Sequence, residues 1–190
     1  MKRKTKIAAA GTAAGIVALG VAGFFCAGGG SDFSASTEKT ADARAGTRPD
    51  FSTAFAIRLG EKTVKIRLAL TDLERLQGFT GRRSPRGDSG MIFVYADSAQ
   101  RAFWMRGVPE DLSIGFFDAA GTLVETHEMR ANDSLTTRSR SEAIQFALEM
   151  APRWFERNGI APGAQLDLKA LADAISARGF SPAKFHIHTE

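Results

Sequence analysis

The sequence has little cysteine and little histidine. Cys26 is the one cysteine among 190 residues, and His127, His186 and His188 are the imidazoles. A lone cysteine excludes an intramolecular disulfide and a thiolate metal cage, and three scattered histidines leave few ligands for a metal. The sequence also lacks the G-x-S-x-G, Walker, HExxH and dinucleotide fingerprints. We therefore expect no metal site and no cofactor.

Excess positive charge is absent from most of the chain. Four of the 25 Lys and Arg residues lie in the first six positions, and the remaining 21 balance the 21 acidic residues. A neutral body lacks the basic surface that binds a phosphate backbone. This distribution argues against nucleic acid as a partner.

No charged residue occurs from Ile7 to Ser31, directly after the basic start MKRKTK. This layout is typical of a signal peptide or membrane anchor, because ~20 apolar residues span a bilayer and a basic flank stays in the cytoplasm. We assign residues 1–30 to this segment and expect an extracytoplasmic protein, periplasmic or secreted. Cleavage, acylation at Cys26, and retention of residues 7–29 as an inner-membrane anchor are open alternatives.

The remaining chain divides into three parts. Residues 31–50 are mostly small and polar, which is typical of a flexible linker. A folded domain is expected over residues 51–168, followed by a C-terminal helix and tail at 169–190.

Period-two alternation dominates the domain and indicates strands. The first two runs, at 55–70, read as a hairpin, and Thr71 and Glu74 form a capping box that starts a helix ending at Gly78. Further strand patterns lie at 91–95, 103–106, 112–129, 143–150 and 165–168. We predict a mainly β fold, an antiparallel sandwich or barrel-like domain with a few short helices. Its predicted core includes Met91, Phe93, Phe103, Phe116, Phe146 and Leu148.

One family resemblance rests on a set of short matches between about Leu68 and Leu168. They are Gly78, Gly90-Met91 with Phe93, Phe103-Trp104-Met105, Phe117-Asp118-x-x-Gly121, Leu148-Glu149 and Gly163. On these residues the chain resembles the bacterial and archaeal family known as domain of unknown function 192. The resemblance implies a compact, mainly β domain, often exported, with no established activity.

The chain departs from that family pattern at three places. Gly78-Phe79-Thr80 stands where Gly-Leu-Met is common, Arg106-Gly107-Val108 replaces Lys-Asn-Thr, and Leu112-Ser113 replaces Leu-Asp. An amide and a carboxylate that could line a site are thereby missing. Any site that the family has there is expected to be altered in this chain.

Three residues are candidates for a ligand surface: Trp104, Arg106 and Glu149. Strand parity places Trp104 and Arg106 on one face, where they could stack a sugar ring and bind a carboxylate. The interpretation we favour is structural, with Trp104 packed in the core and Arg106 paired with Glu149 beneath it. His127 is expected to be a surface or half-buried strand residue.

Three functions follow from these residues. The leading hypothesis is a non-enzymatic envelope domain that binds a small ligand, a glycan or a protein partner and contacts the membrane through its N-terminal segment. A second is a carbohydrate-active hydrolase or transferase that uses Glu149 with Asp111 or Asp118, because such catalysis needs two carboxyl groups at a defined separation. A third is a structural accessory subunit.

Overall fold

The computed structural model describes residues 48–187. The predicted signal or anchor at 1–30, and the linker as far as residue 47, lie outside the described residues. Within 48–187, no helix has the length and apolar character needed to cross a bilayer.

Eight strands form two sheets within residues 48–187. The strands are β1 (Ala54–Leu59), β2 (Lys62–Ala69), β3 (Ser89–Ala99), β4 (Ala102–Phe103), β5 (Leu112–Phe117), β6 (Leu123–Met129), β7 (Thr137–Arg138) and β8 (Ile144–Met150). Six of them make one sheet in the order β1-β2-β3-β8-β5-β6, and β4 pairs with β7 separately. The predicted mainly β class is confirmed, and a sandwich-like description fits.

Two details of the predicted sheet differ in the structure. The large sheet is open rather than closed into a barrel, and β2 pairs with β3 in parallel, whereas its other pairings are antiparallel. Parallel pairing requires a crossover of a dozen or more residues. The segment 70–88, which contains a helix, supplies that crossover.

In the described part of the chain, three α-helices and one 3₁₀ turn accompany the sheet: α1 (Asp72–Gln77), α2 (Trp154–Arg157), α3 (Leu168–Ala177) and the turn Pro182–Phe185. The predicted capping box is present, since the Thr71 hydroxyl accepts from the Glu74 amide at 3.2 Å and the Glu74 carboxylate accepts from the Thr71 amide at 3.1 Å.

The predicted strand at 165–168 is wrong. This segment forms only two isolated bridges, Leu59 with Leu166 and Thr122 with Gln165. The Asp167 carboxylate then accepts from the Ala170 amide at 2.9 Å and caps α3, so the chain turns helical before a ladder can extend.

The large sheet is covered on both faces, because β3, β5 and β8 each contribute buried residues to two apolar clusters. One cluster holds α2, α3 and the C-terminal residues Phe185 and Ile187. The other holds Phe79, Phe93, Phe103 and their neighbours. The continuous apolar runs in these strands follow from this two-sided coverage, and all six predicted core residues are buried.

Truncating a core aromatic should destabilise the domain strongly. Phe116 is fully buried, with its ring centroid 5.8 Å from that of Phe103. We expect Phe116→Ala to lower the free energy of unfolding by about 3–5 kcal/mol, since it removes apolar contacts and leaves a cavity. Leu135→Ala, at a side chain that is 74% exposed, is the control in urea unfolding. Equal midpoints for the two variants would contradict the assigned core.

Candidate functional site

A cleft of about 430 Å³ opens beside α1 on the face of the large sheet that carries Phe93. It lies between the end of α1, strands β3 and β8, and the segment 102–108. Its walls are formed by Asp72, Arg75, Leu76, Gln77, Gly78, Phe79, Thr80, Phe93, Tyr95, Ala102, Phe103, Trp104, Val108, Thr136 and Glu149.

Local backbone geometry at the end of α1 shapes one wall. Gly78 ends the helix with φ of 42°, a conformation that side-chain-bearing residues rarely adopt. The chain therefore turns sharply, and Phe79 is buried in the apolar cluster behind the cleft. Next to Gly78, the rings of Phe93 and Phe103 stand nearly perpendicular, with centroids 4.9 Å apart. Five of the 15 lining residues are aromatic.

Glu149 is the buried carboxyl group of the cleft. Along β8, Leu148 and Met150 face the cluster with α3, so strand alternation places Glu149 on the cleft side. The residue is 5% exposed, and burial raises the pKa of its carboxyl from the usual 4.5 to about 8. Within residues 48–187, its side chain has no hydrogen-bond donor and no ion-pair partner. Such a carboxyl can accept a positive charge or donate a proton.

Tyr95 also lines the cleft, and two arginines lie close to its ring. The guanidinium of Arg101 sits 3.8 Å from the centre of its ring, and that of Arg75 sits 4.9 Å from it. Burial raises the pKa of the Tyr95 hydroxyl, and the two arginine charges partly oppose that increase. The phenol is therefore neutral at physiological pH.

Both arginines are already engaged. Arg75 donates to the carbonyls of Leu70 and Val94 at 2.9 and 2.8 Å, and pairs with Asp72 at 2.5 Å. Arg101 donates to the Ile144 carbonyl at 3.0 Å and pairs with Asp97 at 3.1 Å. These contacts fix the Arg75 guanidinium in the wall and the Arg101 guanidinium against the Tyr95 ring.

The candidate cluster is only partly assembled. Trp104 lines the mouth of the cleft and is 52% exposed, so its predicted packing in the core is wrong. Arg106 is exposed and lies outside the cleft lining, with its guanidinium 6.0 Å from the centre of the Trp104 ring. It forms no ion pair with Glu149, so the predicted plug is also wrong. β4 ends at Phe103, before the strand could carry Arg106 inward.

Neither aspartate proposed as a catalytic partner lines the cleft. The carboxylate of Asp111 accepts from the Ala131 amide at 2.8 Å, and that of Asp118 accepts from the Thr122 amide at 2.8 Å in the turn after β5. Both are loop-forming acceptors, so the structure does not support pairing either one with Glu149. His127 is half-buried, as predicted, with Nε2 2.7 Å from the Glu125 carboxylate.

Sequence reasoning missed several lining residues. Phe79, Thr80 and Val108 line the cleft, and all three lie at positions where the chain departs from the family pattern. The clustering of these departures was the available signal. Tyr95 and Arg75 gave no comparable signal, because Tyr95 continues an apolar strand and Arg75 is an ordinary cation in a short polar helix.

Removing the Arg106 side chain should leave the fold intact. The side chain is exposed and has no hydrogen-bond or ion-pair partner in the described part of the chain, so Arg106→Ala should change the free energy of unfolding by less than about 0.5 kcal/mol. Thermal unfolding at pH 7 measures this. A decrease of several kcal/mol in the free energy of unfolding would contradict this expectation and support a buried ion pair between Arg106 and Glu149.

Comparison with known proteins extends the family resemblance beyond the short matches. The model of the domain of unknown function 192 family, described as "Uncharacterized ACR", matches residues 55–168. No curated protein matches the chain significantly.

Two solved structures share the fold. One, from Sinorhizobium meliloti 1021, is titled a "putative transcription regulator"; it is 26% identical, with a TM-score of 0.56 over 60% of this chain and 92% of that one. The other, a protein of unknown function from Novosphingobium aromaticivorans DSM 12444, is 21% identical, with a TM-score of 0.56 over 60% and 84%. With its family model matched over most of the folded region, this chain belongs to the domain of unknown function 192 family.

Proposed function

We propose that this domain is a non-enzymatic module that binds a small ligand in the cleft beside α1. The observation that carries the proposal is a partnerless buried carboxyl, Glu149, at an aromatic-lined opening of about 430 Å³. Ligand sites of this kind usually enclose about 300–1,000 Å³ and combine apolar walls with a few polar groups. The cleft fits that description.

A small ligand fits this site better than a glycan, a protein partner or a reaction. A glycan or protein surface would need an extended exposed area, and Leu76 and Trp104 are the exposed large hydrophobic residues that the described lining offers. Carboxylate catalysis would need a second acid near Glu149. The other carboxylate on the wall, Asp72, has a fully exposed side chain paired with Arg75.

The role of transcription regulator, given to the Sinorhizobium protein, is not proposed for this chain. After the first six residues, 21 basic and 21 acidic residues balance. Binding to a nucleic-acid backbone relies on clustered positive charge. We therefore retain a small ligand as the occupant.

We further propose that the domain works outside the cytoplasm, held near the inner membrane by residues 7–29 when that segment is retained. The basic start and the uncharged run from Ile7 to Ser31 support this placement. Alkaline phosphatase fused after residue 190 should be active, because the enzyme forms its disulfides only after export. The same fusion lacking residues 1–30 should be inactive. Equal activity from the two fusions would contradict the proposal.

Binding in the cleft can be tested with a fragment library that contains cationic, anionic and neutral members, screened by NMR on the full-length chain. Thr136 is exposed and lines the cleft, so Thr136→Trp should fill the opening without disturbing the core. Thr63→Trp, at an exposed strand position outside the lining, is the matched control. We expect fragments that shift the Trp104 indole signal in the parent and in Thr63→Trp, but not in Thr136→Trp. If no charge class shifts that signal, the proposed function is wrong.

A further inference from the structure

Resting on the proposed function, the chemistry of the lining identifies a ligand class. We propose that the cleft binds a small organic cation, with its ammonium group seated between the Glu149 carboxylate and the rings of Phe93 and Phe103. Glu149 is 5% exposed and lines the cleft. The two phenylalanine rings also line the cleft and stand perpendicular to each other, with centroids 4.9 Å apart.

The charge balance around the cleft favours a positive ligand. Arg75 is paired with Asp72, and Arg101 with Asp97, so each arginine beside the cleft has its own carboxylate. Tyr95 carries no charge at neutral pH, because burial raises the pKa of its hydroxyl. Glu149 is then the one carboxylate of the lining without an opposite charge within the described residues. Once ionised, Glu149 would repel an anion, whereas a cation would compensate its charge.

The aromatic walls favour the same ligand class. Ammonium groups are attracted to the faces of aromatic rings within about 6 Å, most strongly where water is excluded. Arg101 already occupies one face of Tyr95, and Arg106 lies near Trp104. Phe93 and Phe103 have no cation over their rings in the described structure, so they are the surfaces that an incoming ammonium group would meet.

Cation binding should be coupled to ionisation of Glu149. The pKa of its carboxyl is raised to about 8 by burial, so a cation that needs the carboxylate must displace a proton. Because only protein with ionised Glu149 can bind the cation in this way, the apparent affinity for the cation should rise about 50-fold from pH 6 to pH 8. A neutral ligand that accepts a hydrogen bond from the protonated acid would show the opposite trend. The direction of the pH dependence therefore identifies the ligand class.

The titratable and charged groups facing Glu149 are few. They are Tyr95 on β3 and, on α1, Asp72 and Arg75, with Arg101 behind the Tyr95 ring. No histidine belongs to the described lining. Burial moves the Tyr95 hydroxyl above its usual pKa of 10, outside the window from pH 6 to pH 8.

The probes are choline, whose charge is permanent, and its neutral carbon isostere 3,3-dimethylbutan-1-ol. Each is titrated into the full-length chain at pH 6, 7 and 8, with the two tryptophan indole signals followed by NMR. Trp104 lines the cleft, whereas Trp154 is buried elsewhere and donates to Asp88 at 3.0 Å, so its signal is an internal control. We expect choline to shift Trp104 alone, with an affinity that rises about 50-fold over this range. The isostere should bind at least about 10-fold more weakly at pH 8.

Glu149→Gln should lower the affinity for choline by at least about 10-fold at pH 8 and abolish its pH dependence, because no proton is then displaced. Glu142→Gln, at an exposed glutamate outside the cleft, is the matched control and should bind as the parent does. The pH series on the parent protein tests the proposal even if Glu149→Gln does not fold.

Three outcomes would overturn the cation proposal: stronger binding of the isostere, choline affinity that is flat or falls with pH, and no choline binding where other fragments bind. In each, a shift of the Trp104 signal by neutral or anionic fragments would leave the proposed small-ligand function standing. If no cationic, anionic or neutral fragment shifts the Trp104 signal, both the cation proposal and the proposed small-ligand function are wrong.

Discussion

The free energy of unfolding of the parent protein is expected to fall by about 4–5 kcal/mol between pH 4.5 and pH 8, and Glu149→Gln is expected to abolish that fall. The carboxyl has its usual pKa of 4.5 in the unfolded chain and a pKa of about 8 in the folded protein, raised by burial. Each pKa unit corresponds to about 1.4 kcal/mol, which gives this magnitude.

The sign follows from proton binding. Between pH 4.5 and pH 8 the folded state keeps the Glu149 proton while the unfolded state loses it, so stability falls as pH rises. Glu125 acts in the opposite direction and in a different range. Burial would raise its pKa, but hydrogen bonds from His127 and from the Ser141 and Arg140 amides lower it below the usual 4.5. Its stabilisation is lost only at lower pH.

Urea unfolding at pH 5 and pH 8 measures the effect. The parent and Glu142→Gln should lose stability together, while Glu149→Gln should lose far less. Glutamine keeps the size and polarity of the side chain, so the comparison between two pH values isolates the charge. Parallel losses in all three proteins would show that Glu149 is solvated in the folded state.

The second large effect is expected at Arg178, which joins the C-terminal end of α3 to the start of α1. Its guanidinium is 4% exposed, donates to the Leu68 carbonyl at 2.8 Å and pairs with the Glu74 carboxylate. We expect Arg178→Met to lower the free energy of unfolding by about 3–5 kcal/mol, because it leaves a largely buried carboxylate without its positive partner.

A double variant separates the charge from the packing at this contact. Glu74→Gln keeps a capping-box side chain for α1, since glutamine also accepts at this position. Adding it to Arg178→Met should therefore recover much of the lost stability. Lys169→Met is the control, because the Lys169–Asp173 pair is mostly exposed and contributes little. If the double variant is as unstable as Arg178→Met, the loss comes from packing rather than from the unpaired charge.

Local chemistry in the sequence determined much of the secondary structure. The Thr71 and Glu74 capping box, the stop at Gly78 and the hairpin between β1 and β2 depend on residues close together in the chain. The mainly β class followed from the same alternation. The prediction for 165–168 was wrong because four residues of alternation cannot distinguish a strand from an approach to a helix that Asp167 caps.

The distribution of charge and the family resemblance could also be inferred from the sequence without a structure. The balance of 21 basic and 21 acidic residues after the basic start is a property of composition. The short motifs around Gly90-Met91 and Phe103-Trp104-Met105 indicated the family that the match over residues 55–168 shows.

The site was decided by tertiary structure. Trp104 and Glu149 were candidates from the sequence, and both line the cleft. The sequence could not show that β4 ends at Phe103 and leaves Arg106 outside the cleft. Nor could it place Phe79 and Tyr95 on the walls, since these residues meet only after α1 crosses over from β2 to β3. The pKa of Glu149 likewise depends on burial by distant segments. Alternation along a strand identifies a face, whereas contacts between distant segments determine whether that face is solvent, core or cleft.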